Sequence, residues 1–111
     1  ADRGQALSRS AEASKARAQR IQTERRIRSQ VRTQIRAIEA ASMQVNLAIA
    51  NLELASQTLE AERALMEAGR VIQKDLLESI ATVDDARTQL EQSRGDYQLA
   101  LIELKRLKGT L

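Results

Sequence analysis

The sequence has no cysteine, proline, histidine, tryptophan or phenylalanine, and Tyr97 is its one aromatic residue. Each absence excludes something. Without cysteine there is no disulfide, no thiolate nucleophile and no zinc–thiolate site. Without histidine the commonest general base and metal ligand are gone. No nucleophile–base constellation remains to build on, so neither an enzyme nor a cofactor is expected. Zero proline and four glycines in 111 residues argue against an all-β or loop-rich fold. No stretch approaches the roughly eighteen apolar residues of a membrane helix. There is neither an initiator methionine nor a signal-peptide pattern, and the expectation is a mature chain or an excised piece.

What is present favours helices. Hydrophobic residues make up 42% of the chain, but much of that share is alanine, which packs helices closely and buries little area. An elongated or oligomeric helical assembly therefore fits better than a compact globule. The net charge of +3 is unevenly distributed. Residues 1–36 carry ten Arg and Lys against three Asp and Glu, or +7, while residues 37–111 carry eight against twelve, or −4.

Two long helical patterns are interrupted together at one place, Glu67-Ala68-Gly69-Arg70-Val71-Ile72-Gln73-Lys74-Asp75. Gly69 suits the left-handed residue that ends a helix, and Asp75 with Glu78 reads as an N-cap with its capping-box partner. The expectation is an all-α fold, a long antiparallel helical hairpin or coiled coil. Its expected parts are a frayed start over 1–7, a long helix over 8–68, a tip turn over 69–74, a returning helix over 75–108 and a terminus at 109–111.

The helical patterns are those of a coiled coil. Val31, Ile35, Ile38, Ser42, Val45, Ile49, Leu52, Ser56, Leu59, Arg63 and Met66 follow alternating steps of four and three. Beside them run Ala40, Leu47, Leu54, Ala61, Ala68 and a smaller seam of Ala37, Ala41, Ala48, Ala55. After the tip come Leu76, Ile80, Val83, Arg87, Leu90, Arg94, Tyr97, Leu101, Leu104, Lys108 and Leu111, accompanied by Ser79, Ala86, Ser93, Ala100 and Leu107. A helix with several apolar seams needs neighbours on more than one side. At ~1.5 Å per residue the first helix outruns the second, so the basic first third has no partner within the chain.

In order and spacing, several short motifs resemble the C-terminal repeat of the outer membrane efflux protein family, the TolC-like channels. They are Gly69, then Asp75-Leu76-Leu77, then Gly95-Asp96-Tyr97-Gln98-Leu99-Ala100-Leu101-Ile102-Glu103-Leu104, then Gly109-Thr110-Leu111. The likeness covers about residues 15–111. It implies a piece of a trimeric periplasmic α-barrel, whose membrane β-barrel has no counterpart in these residues. It implies that tip residues Ala68, Gly69, Arg70 and Val71 dock against a periplasmic adaptor protein and, through it, serve an inner-membrane pump. It implies that Asp75 and Glu78 face the lumen as a constriction. Met66 and Val71 stand where the family member best known for a gated tip has Tyr and Arg, and they cannot hydrogen-bond or ion-pair as those residues do.

Other readings compete. The hairpin of the periplasmic adaptor itself is one, since Arg63, Leu65 and Gly69 resemble its tip motif. A generic coiled-coil scaffold is another, and the chain by itself could form a dimer or other oligomer. Capping alone would account for Asp75, Glu78 and Gly69. Arg17, Arg20, Arg25, Arg26, Arg28, Arg32 and Arg36 invite a nucleic-acid reading, but they spread around the helix with no aromatic residue interleaved for stacking. Nucleic acid is not expected as a partner.

Overall fold

The computed structural model describes residues 2–110, and they form two helices, α1 (Asp2–Glu67) and α2 (Gln73–Gly109). The chain folds back between them into an antiparallel hairpin measuring 100 × 16 × 16 Å. It is not one continuous helix. Among the described residues no helix is long and apolar enough to cross a membrane.

The contact between the helices follows a strict heptad on each. In α1 the seam positions are Ile27, Val31, Gln34, Ile38, Ala41, Val45, Ala48, Leu52, Ala55, Leu59 and Glu62, with Ser42 and Ser56 half-covered at its edge. In α2 they are Leu76, Ser79, Val83, Ala86, Leu90, Ser93, Tyr97, Ala100, Leu104 and Leu107, with Ile80, Leu101 and Glu103 half-covered at its edge. Steps of four and three alternate without a break, as side chains stacked along one edge of a helix require.

The seam therefore runs one step away from the one expected. Val31, Ile38, Val45, Leu52 and Leu59 are in it as expected, but of their expected companions only Ser42 and Ser56 are half-covered, while the alanine positions take the seam and Ile35 and Ile49 stay 40% and 43% exposed. The reason lies in the partner helix. Ala55, Leu59 and Val83 form one cluster, with Leu52, Leu76, Ile80 and Ala86 packed against it. Continuing both seams outward from that cluster sets large residues level with small ones: Leu52 with Ala86, Val45 with Ser93, Ala48 with Leu90, Ala41 with Tyr97. Alternating large and small layers lets the backbones approach closely and fill space at interior density. An isoleucine in place of Ala48 or Ala55 would push the helices apart.

Besides Ser93, buried at its middle, the seam has a polar contact near each end. The Gln34 side chain donates to the Ala100 carbonyl at 2.9 Å, and the buried Ser79 hydroxyl donates to the Glu62 carboxylate. A polar group at a seam position is satisfied in one register only, so this pair disfavours sliding of α1 along α2.

The element boundaries differ from expectation at both ends. α1 is helical from Asp2 rather than from the region of Ser8, and residues 2–26 are exposed throughout. Their Ala, Arg, Gln and Glu content favours helix without tertiary contacts. Leu111 lies outside the described residues. Gly95, inside α2, faces open space.

Candidate functional site

The tip ends α1 with a Schellman motif. Gly69 has φ +72°, the one left-handed residue among those described. Its N–H donates to the Met66 carbonyl at 2.9 Å, and the Arg70 N–H donates to the Leu65 carbonyl at 2.8 Å. These two bonds satisfy carbonyls that the helix end would leave free. An L-residue at Gly69 would meet no neighbour but would pay the strain of the left-handed backbone.

Ala68, Gly69 and Arg70 are exposed and Val71 half-buried, so these four residues form one contiguous cap over the end of the hairpin. Ile72 beside them is 64% exposed.

Asp75 is not the N-cap. Ile72 takes that position, with the extended φ −82°, ψ 152° a cap needs, and it makes no side-chain capping bond. The helix starts earlier than expected because Gln73 and Lys74 are good helix formers and enter the first turn. Asp75 sits inside that turn, its N–H bonded to the Ile72 carbonyl at 3.1 Å. Its charge complements the helix dipole there, but it does not form a capping box with Glu78. Asp75 and Glu78 are both exposed and share one edge of α2. Lys74 lies 4.0 Å from Glu78 as a solvated i,i+4 pair, an arrangement of little energetic consequence.

That same edge borders a groove, which the sequence reading missed. Between the helices a concavity of 540 Å³ is lined by Ala48, Ala55, Ser79 and Ala86 at its floor, with Leu54 on one rim and Asp85 on the other. A shallower depression by Leu47 and Gln89 continues it, and a third by Thr33, Glu103 and Arg106 lies at the far end. All three lie on one side of the hairpin, because they share the two heptad positions flanking the seam. Its sequence signal was the companion seam Ala40, Leu47, Leu54, Ala61: Leu47 and Leu54 remain 55% and 64% exposed. At the far end Arg106 donates to Glu103, and this bond holds the Glu103 carboxyl below its ordinary value of 4.5. Among the described residues no cluster of acidic side chains could hold a metal ion.

No protein-family model matches the chain, and neither a curated protein nor a solved structure matches it.

Proposed function

We propose that this chain is the periplasmic coiled-coil hairpin of an outer membrane efflux channel. In this reading it forms conduit wall along its length and docks a periplasmic adaptor with Ala68, Gly69, Arg70 and Val71. The observation that carries the reading is the pair of apolar flanks left open on α1. Ile35 and Ile49 lie to one side of the seam and Leu47 and Leu54 to the other, all at least 40% exposed. A helix that has already buried one seam against α2 and still offers two more is built for lateral neighbours, as a wall of side-by-side helices requires. The motifs Gly69, Asp75-Leu76-Leu77 and Gly95-Asp96-Tyr97 add the likeness to TolC-type channels. In a three-fold assembly Asp75 and Glu78 would repeat as rings of like charge, favouring cations and repelling one another unless other links hold them.

The test is a graft. Residues 31–107 replace the corresponding hairpin of a TolC-type channel, and trimer formation and efflux are both read. The expected result is an outer-membrane trimer that restores efflux, with efflux but not trimer formation lost on Arg70→Glu. A graft that is stably produced yet never trimerises would contradict the wall role. The second reading is the adaptor's own hairpin, favoured by Arg63 and Leu65, both exposed before Gly69. It predicts the reverse result: the same segment would work in an adaptor's hairpin and not in a channel's.

A further inference from the structure

We propose that two copies of this chain pair antiparallel, the basic extension of each (residues 2–26) lying in the acidic, small-residue groove of the other. The groove has the form a helix needs. Its floor of Ala48, Ala55, Ser79 and Ala86 permits close approach, Leu47 and Leu54 offer an apolar wall, and Asp85 stands on the opposite rim. No Lys or Arg occurs on α1 between residues 37 and 62. Asp85 has no ion-pair partner among the described residues.

The extension matches that surface. It carries seven basic and three acidic residues, or +4, whereas residues 45–93 carry four and nine, or −5. Leu7, Ala11, Ser14, Ala18 and Ile21 follow steps of four and three along one face, with Arg3, Lys15 and Arg17 flanking it. Leu7 is 72% exposed and Ile21 41%. A narrow stripe of small and apolar residues bordered by positive charge is what an alanine floor bordered by negative charge accepts.

Geometry supplies the pairing. The extension lies beyond the end of α2, at the opposite end of the molecule from the tip. Two such molecules laid antiparallel and in full overlap set each extension level with the tip half of the other, Ala18 close to Leu54. The extension reaches about 37 Å, the same length as residues 45–69. A two-fold pairing fills both grooves at once and closes, so it yields a dimer and not a filament. This inference does not rest on the channel reading. A conduit wall needs parallel neighbours on the same groove, so pairing and wall assembly would exclude each other.

The test uses the whole chain, which has no native cysteine to interfere. Sedimentation equilibrium should give a dimer at low salt, weakening about tenfold or more as the Debye length falls to about 3 Å. Ala18→Cys mixed with Leu54→Cys should cross-link, while Ala18→Cys alone should not. Arg17→Glu and Asp85→Arg should each weaken the dimer with helicity by circular dichroism unchanged, and an equimolar mixture of the two should recover association. A chain that stays monomeric at low salt, a cross-link between two Ala18→Cys copies, or association indifferent to salt would each overturn the proposal. A monomer would leave the groove to a different basic partner.

Discussion

Two stretches of the same helix behave differently. From Ile27 to Glu62, α1 covers one heptad seam against α2 and leaves most of its other positions open; from Asp2 to Arg26 every residue is exposed. Both are helical, and neither contains proline. The paired stretch is held by burial, which contributes most of the stability of helices in proteins. The extension is held by propensity alone, with Thr23 bonding back to the Gln19 carbonyl at 2.9 Å, a contact that slightly disfavours helix. Continuity of a helix therefore does not imply uniform stability along it.

The sharpest way to break that comparison is to mutate one apolar residue in each stretch. Leu90, 6% exposed and level with Ala48, should cost ~2–4 kcal/mol when changed to Ala. Ile21→Ala should leave the urea midpoint of the hairpin unchanged within error. If Ile21→Ala lowered the midpoint in dilute solution, where no second copy covers it, the division would be wrong. Amide hydrogen exchange draws the same line residue by residue. Amides near Ala48, Ala55 and Leu90 should exchange only through global opening, and those before Arg26 through local fraying.

Smaller effects come from the tip and from the polar seam residues. Gly69→Ala should cost about 1–2 kcal/mol through the left-handed φ, read as a lower urea midpoint with native helicity retained. Ser79→Ala removes the hydroxyl that the half-buried Glu62 carboxylate accepts from, and should cost about 1–2 kcal/mol. Glu62→Gln in that background should recover part of the loss, because the amide carries no charge to desolvate.

The smallest effect belongs to Glu103. Its carboxyl is held below the ordinary value of 4.5 by the hydrogen bond from Arg106. A lowered carboxyl stabilises the folded state above its unfolded value, and that contribution is lost as the pH falls below 4.5 through the folded value. Both partners are open to solvent, so the loss is small and screened by salt. Glu103→Gln should remove this part of the acid dependence and lower the urea midpoint at neutral pH only slightly, and less at high salt.

The hairpin itself was legible in the sequence, because Gly69 interrupts two helical patterns and nothing else does. Val31, Ile38, Val45, Leu52 and Leu59 of the seam were legible too, through their spacing. Which flank they shared was not. Ile35 and Ile49 are the stronger hydrophobic signal, yet the choice was made by Leu90 and Val83, which need Ala48 and Ala55 opposite them. Helical periodicity sees one helix at a time, and complementarity of size belongs to two. The cap was misread for a related reason. Asp75 and Glu78 have capping-box spacing, but the extended backbone at Ile72 starts the helix before them. The groove was present only as the unexplained seam of Leu47 and Leu54.

The most direct test of the fold-back and its register is the distance between spin labels at Glu53 and Asp84, both exposed and on the same side of the hairpin. Measured with labelled chain diluted into unlabelled, it reports single molecules. Helix axes 8–10 Å apart, with the label arms added, predict roughly 15–25 Å. A single population near 46 Å, the span of a continuous helix at ~1.5 Å per residue, would contradict the hairpin and remove the basis for the tip, the groove and the wall.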